Sequence, residues 1–238
     1  MTSPSGAKPP TLAVIGCGWW GPKLVRVFNQ ISEDCIKTVA DLSDERLTLI
    51  KRRYPKIHTT ADYRELLADP EIHGVCVATP METHYAIARE VLLSGKHLLL
   101  EKPMTTDARQ AEELLRLAEE KGLTLLVDHI FLYTPAINHL RSLLQSGKMG
   151  QLYYSESTRI NLAPPHATHN VVWDLAPHDV SICLYLFGET PHKVVCHAER
   201  YRHPSLEDAA SLHLFFPSGK RAEIHASWLG SCKTREMR

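Results

Sequence analysis

From Thr11 to Val127, short apolar runs alternate with stretches whose apolar positions recur at helical spacing. The runs Thr11 to Ile15, Ile36 to Ala40, Gly74 to Ala78, His97 to Leu100 and Leu123 to Val127 predict strands buried on both faces. Between them Pro22 to Ile31, Asp44 to Tyr54, Asp62 to Ala68, Thr83 to Leu93 and Asp107 to Lys121 predict helices. Pro55, Asp69 with Pro70, Gly95 and Gly122 supply the stops. Strands that alternate with helices predict a parallel sheet covered on both faces.

After His129 the rhythm changes. A helix is predicted from Pro135 to Gln145, and then the period switches to two from Leu152 to Ile160. One more helix falls between Val171 and Phe187. Strands follow at Lys193 to Tyr201, Ala210 to Phe216 and Arg221 to Trp228, the last two separated by the turn Pro217, Ser218, Gly219, Lys220. This half reads as an α+β domain with a largely antiparallel sheet. The last strand is expected to finish near Trp228, leaving a charged segment, Lys233 to Arg238, and an uncovered sheet edge.

The 238 residues suffice for two domains with cores of their own. Lys plus Arg (27) balance Asp plus Glu (27), so the chain lacks the basic footprint of a nucleic-acid binder. Met1 to Pro10 is rich in Ser, Pro and Gly without an apolar run, and reads as a flexible tail. No apolar run reaches the length of a membrane span, so a cytoplasmic protein is expected. The six cysteines (Cys17, Cys35, Cys76, Cys183, Cys196, Cys232) lie far apart, as small buried hydrophobes do and metal knuckles do not. His166 and His169 have a chelating spacing, but they stand beside Pro164 and Pro165 with no acidic companion, and no metal site is expected.

Gly16, Gly18 and Gly21 spell G-x-G-x-x-G between the first strand and the first helix, where backbone N–H groups must approach a pyrophosphate. A side chain at Gly18 would block that approach. The acidic residue expected about twenty positions on, at the end of the second strand, is Asp41. Its carboxylate would accept from the ribose hydroxyls of NAD and repel the 2'-phosphate of NADP. The structural alternative is a helix cap, since Asp41 precedes Ser43 and Asp44. Together these features predict a doubly wound Rossmann domain over 11–130, followed by the α+β domain over 131–238.

Four segments in this order, VIGCGWWG (Val14 to Gly21), ATPMETH (Ala78 to His84), EKPM (Glu101 to Met104) and WDLAPHD (Trp173 to Asp179), resemble the Gfo/Idh/MocA family of nicotinamide-dependent sugar oxidoreductases over nearly the whole chain. The resemblance implies NAD as cofactor, with Thr79, Pro80, His84 and Glu101 beside it and Lys102 at both cofactor and substrate. It also implies a cis peptide between Lys102 and Pro103. Trp19 and Trp20, inside the glycine loop, are counted with the cofactor-lining positions, although packing is their commoner use. The form WDLAPHD, with RINL (Arg159 to Leu162) and SWL (Ser227 to Leu229), is similar to the UDP-N-acetylglucosamine and UDP-N-acetylglucosaminuronate 3-dehydrogenases. Family members continue through further strands, so the second domain is expected to be incomplete at its C-terminus. A homo-oligomer through the C-terminal sheet is also expected.

Oxidising a sugar alcohol needs a base for the hydroxyl proton while hydride leaves carbon. Asp174 and His178 are four apart on a predicted helix and share a face. His178 is the expected general base, because imidazole titrates near working pH. Lys102 would stabilise developing alkoxide charge or exchange the proton, and Asp174 would orient the imidazole or hold a sugar hydroxyl. Arg159, Asn161 and Tyr133 are candidate substrate contacts; on an antiparallel strand the first two could equally be solvated. Two other functions stay open: a dehydrogenase or reductase of a free sugar or cyclitol, which free UDP would not inhibit, and a catalytically silent NAD-binding protein.

Overall fold

A computed structural model describes residues 9–162, 169–202 and 204–238. The expected tail through residue 8, and His166 with Pro164 and Pro165, lie outside the described residues. The chain divides into two compact units, Met1–Asp128 and His129–Arg238.

The first unit holds six parallel strands: β1 (Leu12–Ile15), β2 (Ile36–Ala40), β3 (His58–Thr60), β4 (Gly74–Val77), β5 (His97–Leu100) and β6 (Leu125–Val127). Their order is β3-β2-β1-β4-β5-β6, the doubly wound arrangement whose direction reverses between β1 and β4. Five helices connect them: α1 (Gly21–Ile31), α2 (Asp44–Arg53), α3 (Arg64–Ala68), α4 (His84–Leu93) and α5 (Ala108–Glu120). Successive residues of each central strand feed opposite cores. Val14 and Cys76 join Val25, Leu47 and Ile50 on one face, while Ala13, Ile15, Val75 and Val77 join Ala88, Val91 and Leu114 on the other. Burial on both faces is why these strands read as continuous apolar runs. Helix α2 is fixed by its ends: Ser43 accepts from the Arg46 N–H, Asp44 and Glu45 stand in the first turn, and Lys51, Arg52 and Arg53 in the last.

The second unit follows a 3-10 turn, Ile130–Tyr133, with α6 (Pro135–Gln145), β7 (Tyr154–Leu162), α7 (Val171–Phe187), β8 (Lys193–Glu199), β9 (Ala209–Phe215), β10 (Arg221–Ser227) and β11 (Leu229–Met237). The sheet order is β11-β7-β10-β9-β8, antiparallel except for the parallel pair β7 and β10. Leu212 and Leu214 of β9 and Ala222, Ile224 and Ala226 of β10 share one core with Val171, Leu175 and Phe187 of α7. Asn170 caps α7 by accepting from the Trp173 N–H, and Gly188, at φ 69°, ends it in the left-handed conformation.

Two strands depart from the sequence expectation. β3 has only three residues, His-Thr-Thr, and no apolar run to announce it. The segment expected to trail away after Trp228 is β11, paired antiparallel with β7 so that Arg235 faces Arg159 and Met237 faces Ser157. Its charges, Lys233, Arg235 and Glu236, are those of an edge strand. Of the cysteines, Cys17, Cys35, Cys76 and Cys183 are buried as expected, whereas Cys196 and Cys232 are exposed.

Candidate functional site

The turn after β1 is built from glycines with different duties. A Cβ on Gly16, which has φ +94°, would come within 2.6 Å of the Ala78 carbonyl oxygen, and one on Gly21 within 1.9 Å of the Gly16 carbonyl oxygen. Both let parts of the protein touch. A Cβ on Gly18 would meet nothing within 4 Å, so what Gly18 keeps clear is open space above the loop. Trp19 is 80% exposed, so packing into a core is not its role; Lys23 Nζ lies 3.9 Å from its ring centroid and 4.2 Å from that of Trp20.

Asp41 stands immediately after β2. Its Oδ2 accepts from the Cys17 N–H at 2.5 Å, its Oδ1 from the Ser43 N–H at 2.8 Å, and Arg46 Nη1 lies 3.7 Å from Oδ2. Asp41 thus ties the glycine loop to the start of α2, while the cap itself is Ser43. A carboxylate has about four acceptor sites, so two amide bonds leave capacity for ribose hydroxyls.

Beyond β4, Thr79 is half-buried and Pro80 exposed. His84, 1% exposed, places Nδ1 2.8 Å from the Pro103 carbonyl oxygen and Nε2 2.9 Å from the Thr79 carbonyl oxygen. Burial lowers its pKa, and a neutral imidazole donates through only one nitrogen, the choice being set by its tautomer. His84 therefore braces the loop after β4 against the loop after β5, with its side chain enclosed between them. The Lys102–Pro103 peptide is cis, as the resemblance implies. Glu101 is 7% exposed and hydrogen-bonded to the carboxyl of Asp128. Burial, followed by the charge of Asp128, pushes Glu101 up to about 8. Lys102, half-buried, acts on it in the opposite sense.

In the second unit, Asp174 and His178 stand one turn apart on α7, both half-buried. Asp174 Oδ2 accepts from the indole N–H of the buried Trp228 at 3.0 Å. The His178 ring meets Phe131 edge-on, with centroids 4.8 Å apart. Arg159 is not solvated: it is 3% exposed and grips Asp179 through Nε at 2.5 Å and Nη2 at 3.0 Å. Its guanidinium carbon lies 4.4 Å from the Phe131 ring centroid. Arg159 and Asn161 alternate on β7 with residues of the open face, which puts both on the side that carries α7. Tyr133 is 66% exposed.

The description "Oxidoreductase family, NAD-binding Rossmann fold" matches residues 11–129, and the Gfo/Idh/MocA C-terminal domain matches residues 137–237. The chain belongs to the Gfo/Idh/MocA oxidoreductase family. A UDP-N-acetylglucosamine 3-dehydrogenase from Acidithiobacillus ferrooxidans is 33% identical over 170 residues, 71% of this chain and 48% of its own. A solved structure of UDP-N-acetylglucosamine 3-dehydrogenase from that organism has TM-score 0.86 at 28% identity, covering 98% of this chain and 71% of the other. An inositol 2-dehydrogenase from Mycolicibacterium smegmatis is 30% identical over 182 residues, 75% of this chain and 53% of its own. The chain spans about half the length of these curated relatives.

The cofactor of this Gfo/Idh/MocA Rossmann domain is NAD, and the residues present fit it. Gly18 leaves room where a pyrophosphate would lie against backbone N–H groups, and Asp41 keeps acceptor sites for the ribose. Glu101 Oε1 is buried and without a hydrogen-bond partner among the described residues. Sequence reasoning missed Lys23, Phe131, Asp128, Asp179 and Trp228. The last two stand inside segments that carry the resemblance, so the signal was present but not assigned a task. Lys23 follows the glycine loop, Phe131 precedes α6, and neither belongs to a motif. Among the described residues no group of three or more His, Cys, Asp or Glu could hold a metal ion. No helix there is long and apolar enough to cross a membrane.

Proposed function

We propose that the protein oxidises a ring hydroxyl, at C3, of a nucleotide-linked N-acetyl amino sugar. The observation that carries this reading is the UDP-N-acetylglucosamine 3-dehydrogenase relative, which is similar in sequence and in solved structure. NAD, when bound, supplies the hydride acceptor. His178 takes the proton of the reacting hydroxyl, its ring held by the edge contact with Phe131. The Lys102 ammonium stabilises the developing alkoxide. Asp174, which accepts from the Trp228 indole N–H, orients the imidazole or holds a sugar hydroxyl in this reading.

Arg159, tied to Asp179 through Nε and Nη2 and stacked near Phe131, keeps a buried Nη1 with no hydrogen-bond partner among the described residues and stays a substrate contact in this reading. Asn161 and Tyr133 are kept as substrate contacts and Thr79 and Pro80 as neighbours of the nicotinamide, while His84 acts through the two loops it braces. The reading also takes the protein to be cytoplasmic, with the NAD-binding domain spanning 11–130 and the substrate domain 131–238 of the sequence. It includes a homo-oligomer through the open face of the second sheet, where Tyr154, Val195 and Tyr201 are among the exposed residues of or beside its strands.

A second reading is favoured by the inositol 2-dehydrogenase relative: oxidation of a free cyclitol or sugar. Nicotinamide reduction assayed with UDP-N-acetylglucosamine and with inositol, each with and without free UDP, separates the two. Turnover of the UDP-sugar, competitively inhibited by UDP, supports the first reading. Turnover of inositol alone, indifferent to UDP, replaces it. Lys102→Ala and His178→Asn must both abolish turnover of the authentic substrate, or the assigned chemistry is wrong.

A further inference from the structure

Strands β5 and β6 are parallel neighbours in which Leu100 faces Val127. The Asp128 N–H donates to the Leu100 carbonyl at 2.8 Å, and the Glu101 N–H to the Val77 carbonyl at 2.9 Å. Glu101 and Asp128 therefore leave the carboxyl edge of the sheet side by side, at the edge where doubly wound folds bind ligands. Their carboxyl groups are hydrogen-bonded to one another. Two ionised carboxylates are acceptors only, so this bond requires one proton held between them. Like charges at this range cannot both ionise cheaply, which keeps the shared proton in place.

The pair is not an isolated structural detail. Glu101 is more than nine-tenths buried, and its Oε1 has no hydrogen-bond partner among the described residues. An acceptor left so in an apolar setting is costly unless a ligand donor reaches it. Among the described residues, the charged and titratable groups that interact with the pair include Lys102 next to Glu101 in sequence, Lys23 on the first turn of α1, and Cys76, whose thiol feels the charge of Asp128. His84 feels Lys102 in turn. Lys23 lies over Trp19 and Trp20 of the glycine loop, so the carboxyl pair and that loop border the same space.

We propose that Asp128 is a positioning residue of the NAD site: through one shared proton it holds Glu101 with Oε1 as acceptor for a donor of the nicotinamide riboside, and the pair discriminates oxidised from reduced cofactor. The oxidised ring carries a positive charge that the reduced ring lacks. Binding of NAD+ beside the singly protonated pair favours release of the shared proton to solvent, giving two carboxylates compensated by the ring cation and by Lys102. Binding of NADH offers no such compensation, and the proton stays. The affinity for NAD+ then rises with pH up to about 8 and levels off above it, where the free pair has already lost the proton, while that for NADH stays level. This inference rests on the NAD site alone and is independent of which sugar is oxidised.

The test is calorimetric titration of the full chain with NAD+ and with NADH, on both sides of about pH 8, in buffers of differing ionisation enthalpy. Below about pH 8 a proton released with NAD+ and none with NADH is expected, with the ratio of the two Kd values shifting by several-fold to about tenfold per pH unit; above it neither nucleotide should release one. Asp128→Asn keeps a hydrogen bond to Glu101 without a shared proton, and should remove both the proton release and the pH dependence of the ratio. Equal proton counts for both nucleotides below about pH 8 in the wild-type chain overturn the proposal even if Asp128→Asn fails to fold. An unchanged pH profile in a folded Asp128→Asn overturns it as well. If neither nucleotide binds, the cofactor assignment itself fails and takes the pair with it.

Discussion

The three glycines of one motif should respond to alanine in opposite ways. At Gly21 an added Cβ would stand 1.9 Å from the Gly16 carbonyl oxygen, so α1 must back away from the loop by about 1 Å. Overpacking of this kind costs about 1–3 kcal/mol, and the cost falls on backbone, which yields less readily than a side chain. At about 4 °C per kcal/mol, Gly21→Ala should lower Tm by roughly 4–12 °C. At Gly18 the Cβ meets no protein atom and φ is not in the positive range, so Gly18→Ala should leave Tm unchanged or raise it slightly, by about 0.4–1 kcal/mol of reduced unfolded-state entropy. The same methyl group occupies the space left for the pyrophosphate. Losing one or two charge-assisted amide contacts at about 1.5–3 kcal/mol each should weaken NAD by roughly 100-fold. Thermal melts and NAD titration of both variants decide the matter. A folded Gly18→Ala that binds NAD as the parent does would refute the placement of the dinucleotide.

Other consequences follow from the buried polar groups. Asp179→Ala strands the Arg159 guanidinium in the core of the second unit and should cost about 3–5 kcal/mol, whereas Arg159→Met with Asp179→Leu should recover most of it; denaturant titration reads both, and a loss under about 1 kcal/mol would mean the pair is not buried as described. His84→Ala removes the one ring hydrogen bond to the Thr79 or Pro103 carbonyl and opens a cavity between the two loops, so a loss of roughly 2 kcal/mol is expected together with weaker NAD binding, although His84 has no proposed contact with the cofactor. Glu101, raised from 4.5 to about 8, keeps a proton that the unfolded chain has already released. Its contribution to stability is therefore complete below about 4.5 and is lost as pH rises toward about 8, at up to ~1.4 kcal/mol per pH unit. Urea midpoints across that window should fall less steeply in Asp128→Asn than in the parent.

The strands buried on both faces were legible because each is an unbroken apolar run, and the helices between them because caps and stops bracket their apolar stripes. β3 was not, since three residues with two threonines carry no periodicity of their own and are fixed by pairing with β2. β11 was not either, because the Lys233, Arg235 and Glu236 that mark an edge strand also mark a solvated tail, and only its register with β7 tells them apart. At the site, the glycines and Asp41 could be read from spacing, which the turn dictates. The alternative of a solvated Arg159 failed for a different reason. Its partner Asp179 is 20 residues away, on another element, and no local pattern announces a pair made across a sheet and a helix.

Yet one missed residue follows from the topology that the sequence did disclose. Gly16 follows β1, Asp41 follows β2, Glu101 follows β5, and Thr79 stands two residues past β4. Because the strands are parallel and adjacent, these positions must line one edge of one sheet, whatever their separation in sequence. Asp128 bears the same relation to β6 as Glu101 does to β5, and a pair of acids at the ends of two neighbouring strands must meet. A lone acid there can be solvated or capped, whereas two acids on adjacent strand ends repel unless they share a proton or a cation lies beside them. The sheet order thus turns two unremarkable residues, 27 apart in the chain, into one titrating unit at the carboxyl edge of an NAD-binding sheet, where the proposal sets it against a nucleotide that changes its own charge during the reaction.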